Sequence, residues 1–305
     1  MQLPVAIRQQ IEQQADALGF PALQRAATAL SDAYREGRIA RLTPAERTAA
    51  YLVTRMPATY AAAHAVLREV APGIGAVASI LDAGAGTGAA SVAARAYFPD
   101  ASITLVERDS AFAAVARQFL PDATLIASDI ARVEPLPVHD LVIAAYSLGE
   151  FGGGVAARLW QSARVALVLI EPGTPRGFGL IREVRTKLLA AGGRMIAPCP
   201  AETACPIVDP DWCHFAARVE RSSLHRRVKG GELGYEDEKF SYVAVARQLV
   251  QLPAARIIRH PQHRPGLIEI ETCTPDGLRS ERIAKRDRDR FRAARKAAWG
   301  DAGIS

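Results

Sequence analysis

The stretch Ile80–Gly88, ILDAGAGTG, decides the fold. An apolar run that ends in glycines at 84, 86 and 88 reads as a buried strand turning sharply into a helix. Its backbone is left bare for close approach by a ligand. Outward from it, VASILDAG, SITLVER, ATLIASD, DLVIAAYS and ARVALVLIEPG form short apolar runs. They alternate with amphipathic segments such as Ala111–Leu120 and Gly154–Ser162. Runs of this length, spaced by helical segments, predict βαβ units and a parallel sheet buried on both faces. Upstream, Ile7, Ile11, Ala15 and Leu18 recur at helical spacing, and Pro21, Pro44 and Pro57 mark helix breaks or first turns. Downstream, the proline-rich stretch AAGGRMIAPCPAETACP lacks periodicity and reads as an insertion shaped by ligands. The expected organisation is a helical region over 1–75, an α/β core over 76–195, and a cysteine-bearing region with final strands and a basic end over 196–305.

The 305 residues, 49% of them hydrophobic, suffice for a sizeable core. No uninterrupted run of about 18 apolar residues occurs, so no membrane partner is expected. The opening MQLPVAIRQQIEQQ lacks the apolar core of a signal peptide. These features predict a soluble protein in the cytoplasm of a bacterium-like cell, where thiols stay reduced and clustered cysteines are metal ligands rather than disulfides.

Within LDAGAGTG, Gly84, Gly86 and Gly88 allow the turn, and Asp82 ends the first strand. Glu107 ends the second strand, where a carboxylate accepts both hydroxyls of a ribose. Asp129 ends the third and is placed to meet an adenine amine; capping a helix is its ordinary alternative. No Lys-Ser/Thr follows the glycines, which argues against a Walker loop. The pattern D-x-G-x-G-x-G, with an acid nineteen residues on, resembles the S-adenosylmethionine site of class I methyltransferases. The fold class expected is thus α/β: a Rossmann-like class I S-adenosylmethionine-dependent methyltransferase core, with an N-terminal helical region and a C-terminal four-cysteine metal-binding insertion.

Four cysteines, Cys199, Cys205, Cys213 and Cys273, all lie late in the chain, spaced C-x5-C-x7-C and then 59 residues to the last. Four thiolates close a tetrahedral Zn²⁺ site or hold a [4Fe-4S] cluster. The absence of a CxxC pair and the flanking Pro198, Pro200 and Pro206 suit the larger cluster, with zinc as the alternative and unconnected buried cysteines as the plain reading. Trp212 and Phe215 are expected to cover the metal, and His214 to pack beside it.

The net charge is +6, and basic residues gather late. Arg279–Lys296 holds nine Arg or Lys against three acids, and His225–Lys229 reads HRRVK. Arg226, Arg227, Lys229, Arg286, Arg290 and Lys296 are the candidate RNA contacts, against the simpler reading of a solvated face. No catalytic residue is identified. The place of an Asp/Asn-Pro-Pro-aromatic motif reads AAYSLGEF, Ala144–Phe151, and no cysteine precedes Cys199. Tyr146, Ser147 and Glu150 are candidates to line a substrate mouth.

Larger pieces carry a family resemblance: YLVTRMPATYAA (Tyr51–Ala62), LDAGAGTG, IEPGTPRGF (Ile170–Phe178), DWCHFAARVER (Asp211–Arg221), KFSYVAV, RPGLIEIETCTPDG and ARKAAWGD. Together they resemble the ribosomal small-subunit methyltransferase-like family, which has bacterial and mitochondrial members, the animal one being methyltransferase-like protein seventeen. The resemblance implies a Rossmann-like methyltransferase core and a [4Fe-4S] site at the four cysteine positions. It also implies a role in small ribosomal subunit assembly, with that subunit and its rRNA as partners and no DNA. Two classes of function follow: an enzyme that methylates RNA, or a non-catalytic assembly factor that keeps the fold. A zinc-containing small-molecule methyltransferase is a third.

Overall fold

The computed structural model describes residues 1–36, 38–151 and 154–304. Four helices come first: α1 (Val5–Leu18), α2 (Phe20–Glu36), α3 (Pro44–Thr54) and α4 (Met56–Ile74). Strands and helices then alternate through β1 (Ser79–Ala83), α5 (Ala89–Arg95), β2 (Ser102–Val106), α6 (Ser110–Phe119), β3 (Thr124–Ile126), β4 (His139–Ala145), α7 (Leu148–Phe151), α8 (Val155–Ser162), β5 (Ala163–Pro172), α9 (Pro175–Ala190) and β6 (Arg194–Ala197). The last third holds β7 (Phe215–Glu220), α10 (Ser223–Lys229), β8 (Tyr235–Ala246), β9 (Arg256–Ile257), β10 (Gln262–Arg264), β11 (Leu267–Thr274), β12 (Gly277–Ala284) and α11 (Arg288–Ala294). Among the described residues no helix is long and apolar enough to cross a membrane.

The chain forms two compact units that interleave along the sequence. The first comprises Met1–Leu67, Ala78–Pro135 and Ala217–Glu238; the second comprises the rest. In the first unit β1, β2 and β3 pair in parallel, in the order β3-β2-β1, through the crossover helices α5 and α6. This is one mononucleotide-binding half of a Rossmann-like sheet. Ile80, Leu81, Ile103, Leu105 and Val106 are all buried, the continuous apolar character of a strand covered on both faces. The helical prelude forms as its periodicity predicts, with Ile7, Ile11 and Ala15 on the buried face of α1. Pro44 opens α3 behind a capping box: the Thr43 hydroxyl accepts from the Glu46 amide, and the Glu46 side chain accepts from the Thr43 amide. Such a cap is worth about 1 kcal/mol.

In the second unit β4 and β5 pair in parallel, and β8 lies between β5 and β6, antiparallel to both. The apolar runs read from the sequence pair in parallel as expected, and the sheet becomes mixed only where β8, outside those runs, enters it. A parallel neighbour needs a crossover that packs on the sheet face, whereas the segment before β8 is a short turn after α10. A smaller antiparallel sheet has the order β10-β11-β12, with β9 also on β11. Ile257, Ile268, Ile270, Ile283 and Ala294 form its core, and Phe291 of α11 packs on them.

The turn from β5 into α9 explains EPGTPRGF. A Cβ at Gly177 would stand 2.1 Å from the Pro172 carbonyl oxygen, so no side chain fits there. Glu171, 5% exposed, accepts from the amides of Leu148 (2.9 Å) and Gly149 (3.3 Å), fixing the loop after β4. In that loop Tyr146 takes a left-handed φ of 59°, a costly conformation for a bulky residue, and its amide donates to the Ile170 carbonyl at 2.7 Å. Burial pushes the Glu171 carboxyl up to about 7; the two amides oppose the shift, Glu150 adds to it and Arg176 opposes it.

A carboxyl whose folded pKa is raised contributes stability that is fully present below its unfolded pKa and is lost as pH rises through the folded one. Glu171→Gln should therefore gain stability relative to the parent between about pH 4.5 and 7, by on the order of 3 kcal/mol. Urea unfolding across that range checks it: parallel curves for parent and variant would remove Glu171 from the pH dependence.

Candidate functional site

Beyond the carboxyl end of β1, Gly84, Gly86 and Gly88 have φ of 72°, 55° and 82°, the left-handed region that a glycine adopts without strain. The amides of Gly84 and Ala85 donate to the Val106 carbonyl at 2.9 and 3.0 Å, stitching the turn to β2. Glu107 completes the stitch: one carboxylate oxygen accepts from the Gly86 amide and the other from the Asp109 amide, both at 2.7 Å. Asp82 faces inward, 1% exposed, and accepts from the Ser91 amide (3.1 Å) and hydroxyl (2.7 Å), so it anchors the first turn of α5. Burial pushes its carboxyl up to about 6 against the pull of the Ser91 bonds, and Glu107 raises it further.

Space in front of the loop is bounded by a residue that sequence reasoning missed. A Cβ at Gly86 would meet only the Tyr51 hydroxyl, at 3.9 Å. Tyr51 comes from α3, and its ring packs on Phe112 of α6 with centroids 4.9 Å apart. Burial pushes its phenol up to about 12. The signal was its place at the head of YLVTRMPATYAA. The Thr87 hydroxyl, buried within the loop, has no hydrogen-bond partner. A left-handed cradle, an unpaired hydroxyl and bounding acids fit a small polar ligand. Asp129 adopts its ordinary role as well: it caps the 3₁₀ turn Ile130–Arg132 through the Ala131 amide at 2.9 Å, and Arg108 lies 3.4 Å away. That amide chiefly holds its carboxyl below the usual range. Glu107 is thus bonded directly to the glycine turn at Gly86, Asp82 is bonded to Ser91 at the start of α5, and Asp129 lies just beyond the end of the neighbouring strand.

In the second unit the four cysteines line one cavity. Cys199 and Cys205 lie in the loop after β6, Cys213 just precedes β7, and Cys273 sits on β11. Phe178, Ile207 and Ile258 form the adjoining apolar cluster, with Trp212 packed against it. Burial pushes the Cys213 thiol well up, and Cys199, Cys205 and Cys273 raise it further. Cys273 rises to about 11 from burial and then from Cys199 and Cys205. Burial also raises Cys199, while Arg185 and Arg256 oppose. Among the described residues no three His, Cys, Asp or Glu side chains converge closely enough to hold a metal ion, so the expected four-cysteine metal centre is not formed as a converged ligand set. The donor chemistry, four thiols around one cavity, fits a group larger than one ion. His214 stacks on Trp212 with centroids 5.3 Å apart and meets the Trp299 edge at 4.7 Å, and Phe215 lines the cavity.

The basic candidates are less uniform than their sequence. Arg226 is exposed, whereas Arg227 lies over the Phe20 ring at 4.4 Å and Lys229 pairs with Glu236 at 3.0 Å. Glu236 also takes Arg221 and the buried His225, so α10 is tied down by charge within its own unit. Arg290 pairs with Glu281 at 2.5 Å, while Arg286 and Lys296 are exposed at either end of α11.

A family model described as mitochondrial small ribosomal subunit Rsm22 matches residues 45–303. The human ribosome assembly protein METTL17, mitochondrial, is 27% identical over 255 residues, covering 73% of this chain and 54% of that protein. Rsm22-cox11 tandem protein 2, mitochondrial, of Schizosaccharomyces pombe is 26% identical over 318 aligned residues, covering 83% of this chain and 42% of that one. The chain thus spans about half the length of the curated relatives it matches. Among solved structures, a precorrin-6y C5,15-methyltransferase from Geobacter metallireducens has a TM-score of 0.41 at 18% identity, covering 60% of this chain and 86% of that one. The N-methyltransferase NodS from Bradyrhizobium japonicum has a TM-score of 0.40 at 15% identity, covering 62% and 96%. Likeness at that level is loose, and the α/β Rossmann-like fold rests on the strand order and crossovers described above. The expected placement in a bacterium-like cytoplasm is overturned, because the family description and both curated relatives are mitochondrial. With 45–303 matched by its model, this chain belongs to the Rsm22 family.

Proposed function

We propose that this chain binds S-adenosylmethionine at the glycine loop and works in assembly of the small ribosomal subunit, on or near its rRNA, with a [4Fe-4S] cluster on Cys199, Cys205, Cys213 and Cys273. The observation that carries the first half is the loop itself, held left-handed at three glycines and bonded to Glu107, with clear space before Gly86. The assembly role draws on the Rsm22 family and on the human relative, which is named a ribosome assembly protein.

When bound, S-adenosylmethionine supplies an electrophilic methyl group. Gly84, Gly86 and Gly88 let the backbone approach it. Glu107 and Asp129 offer carboxylates to the ribose hydroxyls and the adenine amine, and Asp82 keeps α5 in place behind the loop. Tyr51 closes one side. For the metal, zinc is the weaker fit: it draws its thiolates to about 2.3 Å from one point, and the described cysteines do not converge that way. A cubane cluster spreads its thiolates around a larger body, which suits a cavity lined by all four. A second reading, an assembly factor without turnover, is favoured by the loop after β4, where AAYSLGEF offers no recognised methylation motif.

Gly86→Val should abolish S-adenosylmethionine binding by calorimetry while leaving the circular dichroism spectrum intact, because the side chain both strains φ and fills the cradle. Glu107→Ala should weaken binding by roughly 1 to 3 kcal/mol. Parental affinity in Gly86→Val would take the loop out of the site.

Purified without oxygen, the protein should show an absorption shoulder near ~400 nm. Cys273→Ser should lose iron and thermal stability together, since metal-binding energy is partly folding energy. Full iron and sulfide in that variant would show that the distant cysteine is no ligand.

On immature small subunits, labelled methyl donor should pass its label to RNA if the protein is an enzyme, and binding without label transfer would select the assembly factor. Arg286→Gln with Lys296→Gln should lower the salt slope of small-subunit RNA binding by about 1.4 to 1.8 units, at roughly 0.7 to 0.9 per lost phosphate contact. An unchanged slope would make the end of α11 a solvated face.

A further inference from the structure

The cysteine cavity also holds a buried cation with no acidic partner among the described residues. Arg185, on α9, is 6% exposed and lines the cavity with the four cysteines. Its Nη2 donates to the carbonyls of Ala201 (2.8 Å) and Thr203 (2.9 Å), both in the loop that joins Cys199 to Cys205. Its Nε is buried and meets no acceptor. Among the described residues, no Asp or Glu forms an ion pair with it. Arg256 provides the contrast. Also buried, at 3% exposure, and on the same cavity, it is paired with Glu69 at 3.0 Å and donates to the carbonyls of Pro198 (2.9 Å) and Gly300 (2.6 Å). One guanidinium is therefore compensated within the protein, and the other is not.

Burying a charge is costly unless an opposite charge and hydrogen bonds meet it. Arg185 has two neutral carbonyls, one unpaired N–H and four thiols around the same space. Those thiols supply the missing negative charge only when they are held as thiolates. We propose that Arg185 is the counter-cation of the anionic group that the four cysteines hold. Its charge offsets thiolate charge, its Nε–H is free for a sulfur acceptor, and its Nη2 fixes the loop that presents Cys199 and Cys205. It is a positioning and tuning residue, and the inference rests on the reading that these cysteines carry an iron–sulfur cluster. Four thiolates on a [4Fe-4S]²⁺ core leave two net negative charges, and one electron from an external reductant such as dithionite makes three. A nearby cation and an N–H donor to sulfur both favour the reduced form, so they raise the potential.

The test is a redox titration of the full chain, purified anaerobically, followed by absorbance near ~400 nm and by iron and sulfide content, for the parent, Arg185→Gln and Arg185→Lys. Arg185→Gln should shift the oxidised-to-reduced ratio at a fixed potential about tenfold toward the oxidised form, about 59 mV for a one-electron couple. Arg185→Lys, which keeps the charge and loses the fork, should fall between it and the parent. Should Arg185→Gln lose its cluster while Arg185→Lys keeps it, the requirement for charge is equally supported. An unchanged potential in a cluster-bearing Arg185→Gln would overturn the inference and leave the cluster reading intact. Loss of cluster from both variants would assign Arg185 only to holding the loop, which also overturns the counter-charge role. A parent protein without iron or sulfide would defeat the cluster reading itself, and this inference with it.

Discussion

Glu107 is the hinge of the first unit. A single carboxylate, 8% exposed, takes the amide of Gly86 on one oxygen and that of Asp109 on the other, so one side chain joins the glycine turn to the start of α6. Three consecutive parallel strands end within reach of this bond, and the neighbouring pieces depend on it. Asp109 in turn caps α6 and pairs with Arg47 of α3, which sets α3 against α6 and places Tyr51 over the loop. Were the Glu107 carboxylate absent, the Gly86 amide would be a partly buried donor without a partner, and the turn would lose its fixed shape.

The same bond bears on how a ligand binds. A carboxylate oxygen has two lone-pair directions. Each Glu107 oxygen accepts from a backbone amide, that of Gly86 on one and that of Asp109 on the other. Under the proposed function, the group that organises the loop is also the one that meets the ligand. Asp129 shares that economy, with one oxygen on the Ala131 amide and the other facing Arg108. Helix cap and ligand contact are compatible roles for one acid.

Much of this was legible because local chemistry dictates it. Glycines at 84, 86 and 88 announce left-handed backbone, apolar runs of five to ten residues announce buried strands, and Pro44 announces a helix's first turn; all three are formed. What was not legible depends on partners distant in sequence. Nothing near Lys239–Val245 marks β8 as antiparallel, because its direction is set by pairing with β5 some seventy residues earlier. Tyr51 reads as an ordinary helix residue until α3 is packed on α6. Ion pairs are illegible for the same reason: Lys229 and Arg290 are held by Glu236 and Glu281, which pattern alone does not pair with them.

Arg185 is the extreme case. In sequence it is one charge on an amphipathic helix, with Glu183 and Lys187 beside it as solvated neighbours. In the fold it is turned inward, and its acceptors lie sixteen and eighteen residues further on. The two units therefore handle buried charge in opposite ways. Asp82 and Glu107 are anions held by the backbone amides and hydroxyl of their own unit, so the glycine loop is fixed from within the chain. The cysteine cavity combines one fully paired cation, Arg256, with one that is only partly satisfied, and with thiols whose burial favours the neutral form. A site of that kind reaches electrostatic balance only when its sulfurs are deprotonated. The charge of the first site is paired within its own unit, whereas the second leaves one buried guanidinium without an acidic partner among the described residues.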